Sequence, residues 1–242
     1  NVIRYNTFQD NPKGQLVFRT GNKNTAYGNF FIRSGGIRVK EGQHHMIYNN
    51  YFEGESDSLY PALRLMNFKL NQKSNVGLPL DDIKIAHNTF YETNPLELGA
   101  AGMNPPTHVI FSNNIFVKSK GFLFNDYNEE NVFQNNLFWG DANTGRKYKE
   151  SEMAKKNPLL ALNEDKIYAL TAGSPAINQA YDKATLMLDN EEVKDDDPMM
   201  LLDIDGQQRD DMKDIGCDEF SKTSKTNRPL HKKNTGPAYL NN

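Results

Sequence analysis

Short apolar runs, alternating between positions suited to a core and positions suited to solvent, recur along the first 140 residues, each broken by a polar bend. Six of them share one pattern: "IRYNTF", "AYGNFF", "IYNNYF", "IAHNTF", "FSNNIF" and "FQNNLF". In each, an asparagine is followed two positions later by a phenylalanine. The asparagines are Asn6, Asn29, Asn50, Asn88, Asn114 and Asn136, with steps of 23, 21, 38, 26 and 22 residues. The long step predicts one coil carrying an insertion between about Tyr60 and Leu80.

A repeat in the low twenties predicts an all-β chain wound as a right-handed parallel β-helix, each coil supplying short strands and bends. An asparagine at each bend is expected to take the left-handed conformation, satisfy nearby backbone groups and bond to its copies in adjacent coils. The phenylalanine two residues on points to the same side of its strand, so a phenylalanine column is expected in the core. A leucine-rich repeat lacks its leucines here. A β-sandwich with asparagine-rich loops would not space the pattern so evenly. Beyond about Trp139 the period dissolves, which divides the chain into coils over 1–140 and irregular terminal coils and tail over 141–242, packed on the same solenoid.

Composition narrows the rest. The 242 residues carry a net charge of -3, so the global positive field of a nucleic-acid binder is absent, and any polyanion must meet a local patch. The single cysteine, Cys217, excludes an internal disulfide and a structural zinc site of cysteines. No apolar run is long enough for a membrane span, and Asn1–Arg4 does not read as a signal peptide. "DNEEVKDDDPMM" reads as a solvated acidic loop, and "DIDGQQRDDMKDIGCDEF" as a turn rather than an EF-hand, because the bidentate glutamate is missing. The carboxyl-terminal material could close off the solenoid. The first repeat begins at once, so further coils are expected upstream.

The asparagine ladder also serves as a ruler. Arg19 and Lys40 each lie ten residues before a ladder asparagine, which predicts neighbouring positions on adjacent strands, ~4.8 Å apart. Arg38, two before Lys40, shares its face. Arg64, fourteen after Asn50, falls close to the thirteen that separate Arg19 from Asn6. A face bearing Arg19, Arg38, Lys40 and Arg64 suits an extended polyanion with regular carboxylate or sulfate groups. His44 and His45 have no metal-ligand spacing; His45 is retained as a candidate substrate contact. Asp81 and Asp82, adjacent on a strand, point to opposite faces and make a poor hydrolytic pair.

"NVIRYNTF…GQLVFRTGN…YGNFF…GGIRVKEGQHHMIYNNYFEG" resembles polysaccharide lyase family six, the alginate lyases and chondroitinase B. "DIDGQQR…DIGCDEF" and "RPLHKKNTGPAYL" are similar to that family's carboxyl-terminal stretches. The resemblance implies calcium-assisted β-elimination on a uronic-acid polymer, alginate first and chondroitin or dermatan sulfate second. In that chemistry a cation neutralises the uronate carboxylate, a lysine removes the C5 proton, and an arginine sits by the leaving glycosidic oxygen. Arg19 matches the arginine. Thr20 stands where the family usually has histidine. The family's lysine and acidic calcium ligands match no residue of this chain and are expected upstream; Lys13 does not fit the motif. The resemblance further implies an anionic polysaccharide partner, secretion or a periplasmic location, and little activity for this chain alone. Two other readings remain: a non-catalytic glycan-binding β-helix, and a pectin-type glycoside hydrolase, which would need converging aspartates where cations stand.

Overall fold

The computed structural model describes residues 1–69, 78–128, 130–181, 187–188, 191–192, 201–231 and 235. Its elements are all strands, and they wind as the repeat predicts. The first coil holds β1 (Val2–Arg4), β2 (Thr7–Gln9) and β3 (Leu16–Arg19); the second β4 (Thr25–Tyr27), β5 (Phe30–Ile32) and β6 (Ile37–Lys40). The third holds β7 (Gln43–Tyr48), β8 (Tyr51–Glu53) and β9 (Leu63–Met66); the fourth β10 (Asp81–Ala86), β11 (Thr89–Tyr91) and β12 (Leu96–Leu98). The fifth holds β13 (Thr107–Ser112), β14 (Ile115–Val117) and β15 (Phe124–Asp126). Strands β16 (Val132–Gln134), β17 (Asn136–Trp139) and β18 (Met153–Lys155) follow, so regular pairing runs on to Lys155, past residue 140.

Equivalent strands stack in parallel into three sheets: A (β1, β4, β7, β10, β13, β16), B (β2, β5, β8, β11, β14, β17, β18) and C (β3, β6, β9, β12, β15). The fold is a parallel β-helix. Among the described residues, no helix is long and apolar enough to cross a membrane.

Two columns hold the coils together. Phe8, Phe31, Phe52, Phe90 and Phe116 stack face to face, with ring centroids 4.7 to 5.2 Å apart. The asparagine amides form a continuous ladder: each Nδ2 from Asn6 to Asn114 donates to the next Oδ1 at 2.9 to 3.1 Å. Each Oδ1 also accepts the backbone N–H of the preceding ladder asparagine. The interior amides are buried and saturated, as buried polar groups must be. The left-handed residue at each bend, however, is the one before the asparagine. Tyr5, Gly28, Asn49, His87, Asn113 and Asn135 take φ between 49° and 63°. That residue turns the chain, which leaves the asparagine free to aim its amide inward.

The outward residues of sheet B include Phe30, Ile32, Tyr51, Ile115 and Leu137, an apolar strip that water would penalise. The carboxyl-terminal segment covers it. A hairpin of β19 (Leu160–Leu162) and β20 (Tyr168–Leu170) lies against it, with Ile167, Ile204 and Cys217 packed on Phe30, Ile32 and Tyr51. Ala176 and Ile215 pack on Ile115 and Leu137. The described part of this segment therefore lies along the flank of the solenoid, while Arg146 and Tyr148, ahead of it, pack over Phe124 and Phe133 of the last coil, where the carboxyl-terminal material is expected to close the end. β21 (Met187–Leu188) and β22 (Glu191–Glu192) form a short antiparallel pair. The rest of the acidic run from Asp189 to Met200 lies outside the described residues.

Candidate polyanion-binding face

Sheet C positions the cations. Its strands alternate strictly: Leu16, Phe18, Ile37, Val39, Leu63 and Leu65 face the core, and the residues between them face out. Arg19 pairs in register with Lys40, and Arg38 lies two positions away on the same face. Arg64 is on that face too, but its register partners are Arg38 and Glu97, not Lys40. The shift comes from the corners. In the third coil nine residues, 54–62, join sheet B to sheet C, against four, 33–36, in the second. Counting from the asparagines therefore falls two residues short, because the position in register with Lys40 is Met66.

This corner also corrects the position of the insertion. Arg64 belongs to a regular strand, and the extra length of the third coil splits between residues 54–62 and 67–80. Residues 70–77 lie outside the described residues.

Among the described residues, the side chains of Arg19, Arg38 and Lys40 enter no ion pair or hydrogen bond, and the Nε of Arg38 is buried without an acceptor. Arg64 differs. Its Nε donates to Glu97 Oε2 at 2.6 Å, and its guanidinium lies 5.4 Å from the ring centre of Tyr60. Thr20, directly after Arg19, holds φ at 61°, a strained conformation for a β-branched residue, and its N–H donates to Lys40 O. The turn after Arg19 is thus tied to the strand that carries Lys40.

His45 is set apart from these four. It is fully buried, with Nδ1 accepting the Asn24 N–H at 3.2 Å and its ring 5.5 Å from that of Phe18. Burial pushes its pKa down to about 4, so the ring is neutral at pH 7. It supports the wall and does not reach the outer face. Asp81 and Asp82 are each engaged separately: Asp81 accepts from Thr107 and bonds His108, while Asp82 bonds His44 and Lys84. Lys13 is exposed in a turn closed by Gly14 N–H and Asn11 O.

Calcium does not fit this face. Its ligands are oxygens, chiefly carboxylates, and the carboxylate on the described face, Glu97, is taken by Arg64. The described residues do contain a group of acids able to hold an ion, Asp203, Asp205 and Asp218. They lie in the segment packed on sheet B, away from the cations. Sequence reasoning read this stretch as a turn, and a turn it is, with the Gln207 N–H donating to Asp203 Oδ1. The approach of Asp218 depends on tertiary contact and left no local signal. Glu97 was missed for the same reason.

Comparison with known proteins agrees with the fold. Residues 1–106 match the family model for chondroitinase B. No curated protein matches. Two solved structures of the polysaccharide lyase family six alginate lyase AlyGC, one of them an arginine-to-alanine mutant, superimpose with a TM-score of 0.59 at 23% identity. The match covers 72% of this chain and 25% of theirs, so the chain spans about a quarter of the length of those enzymes. In sequence over residues 1–106, and in fold over most of its length, the chain resembles polysaccharide lyase family six.

Proposed function

We propose that the outer face of sheet C binds a uronic-acid polymer, alginate first and chondroitin or dermatan sulfate second, and that the protein belongs to a lyase cleaving it by β-elimination. The observation that carries this reading is the in-register pair Arg19 and Lys40, with Arg38 beside them, all without a counter-ion among the described residues. Three stacked cations repel unless anions lie between them, and a chain of carboxylates supplies anions at a comparable spacing.

In this reading Arg38 and Lys40 hold sugar carboxylates, and Arg19 stabilises charge on the leaving glycosidic oxygen. Arg64 shapes the edge of the groove, and His45 supports it from beneath. The described face offers no group matching the family's lysine base, so this chain is proposed to bind polyuronate and turn it over slowly. The relatives suggest an extracytoplasmic setting, where such polymers occur.

The test is Arg19→Ala, assayed by the ultraviolet absorbance of the unsaturated uronate product and separately by binding. In a lyase it costs about 100-fold or more in turnover, with a modest loss of affinity. A non-catalytic glycan-binding module loses affinity and has no turnover to lose; the missing base match favours that as the second reading. Unchanged binding by Arg19→Ala and Lys40→Ala alike would reject both.

A further inference from the structure

We propose that Asp203, Asp205 and Asp218 form a binding site for a hard divalent cation of the calcium type, which fastens the carboxyl-terminal segment to the flank of the solenoid. It is independent of the sugar-binding face.

The geometry is suitable. One carboxylate oxygen from each of the three lies within 4.8 Å of the others. Calcium with oxygen ligands at about 2.3–2.6 Å keeps all its donors within roughly 5 Å of one another. A donor set of carboxylates alone selects a hard cation over zinc or copper.

The second observation is an orphan. Asp205 is fully buried; its Oδ2 meets the Lys225 ammonium, but its Oδ1 has no hydrogen-bond donor. The other two acids are partly satisfied: Asp203 accepts N–H groups from Gln207 and Glu219, and Asp218 accepts the Leu170 N–H. A buried carboxylate oxygen with nothing to accept is costly, and a cation removes that cost.

Charge counts the same way. Asp203, Asp205, Asp214, Asp218 and Glu219 are gathered around Arg209 and Lys225, five acids against two bases. Arg228, the next base, is held by Glu164 and Asp165. The turn that presents Asp205 requires glycine next to it, because Gly206 has φ of 72° and a Cβ there would strike Thr226. Lys225, whose side chain is 20% exposed, can leave Asp205 for solvent when an ion enters.

The experiment is a calorimetric titration of the chelator-treated chain with Ca²⁺, paired with thermal unfolding with and without the ion. The wild type is expected to take up about one ion per chain, with a dissociation constant of roughly 10⁻⁵ to 10⁻³ M and a raised unfolding midpoint. Asp205→Asn weakens binding at least about tenfold, while Lys225→Met, which removes the competing ammonium, tightens it several-fold. Should Asp205→Asn fail to fold, the wild-type and Lys225→Met titrations decide. No saturable heat and no midpoint shift up to about 10 mM Ca²⁺, a concentration above the weakest such sites, overturns the proposal. So does Asp205→Asn binding like wild type. Lys225→Met that loses stability and binds no ion would show the lysine to be the resident counter-ion, and overturns it equally.

Discussion

Arg64 and Glu97 face each other across β9 and β12, Nε to Oε2, at 2.6 Å. The fourth coil thus brings its own counter-ion to the third, and the uncompensated positive charge of sheet C falls on β3 and β6 alone among the described residues. A polyanion held there meets two adjacent strands, a contact about the length of one or two sugars.

Glu97→Gln should extend that contact. With its partner neutralised, Arg64 becomes a fourth available cation, and affinity for a polyuronate is expected to rise by about threefold to tenfold, with a steeper fall in salt. Binding isotherms at two ionic strengths measure both. An unchanged affinity would mean that the polymer does not extend over β9.

The asparagine ladder should be unequal along its length. Asn88 is buried and bonds to Asn50, Asn114, Ile47 and Ala86. Asn88→Ala leaves several of those groups without partners and is expected to cost about 4 kcal/mol in urea unfolding. Asn6 is exposed, and Asn6→Ala should cost about 1 kcal/mol. Equal losses would contradict the ladder as a source of stability.

Arg209 joins the terminal segment to the solenoid. It is buried against Glu219 at 2.9 Å, and its Nη2 donates to Asn49 Oδ1 and to Gly216 O, both at 2.8 Å. Arg209→Met strands the Glu219 carboxylate and is expected to cost about 3–5 kcal/mol. Limited proteolysis should then cut first within residues 201–219, while the coils persist. Adding Glu219→Gln should recover part of the loss.

His45 should make stability fall in acid. Burial depresses its folded pKa to about 4, below the ordinary value near 6.5. Above about pH 6.5 both states hold the neutral ring and nothing is lost. Between about 6.5 and 4 the unfolded chain takes up a proton that the folded one refuses, so stability declines, by about 3 kcal/mol once pH is below both values. The difference between wild type and His45→Gln, followed by urea unfolding from pH 7 to pH 4, isolates this contribution. A difference that does not vary with pH would refute it.

What the sequence settled by itself is the stacking. The spacing of asparagine and phenylalanine is a local property, repeated, and it determines coil length, the two interior columns and the outward direction of Arg19, Arg38 and Lys40, because side chains on a strand alternate with a fixed period. Tertiary structure decided whatever depends on corner length or on distant segments. The nine-residue corner before β9 set Arg64 beside Arg38 and Glu97, and the close packing of the wall enclosed His45. The flank of sheet B drew residues 160–181 and 201–219 over its apolar strip and brought Asp218 to Asp203 and Asp205. A corner can lengthen without disturbing the coil period, and burial brings together residues that are far apart in the chain, so neither leaves a local pattern to read.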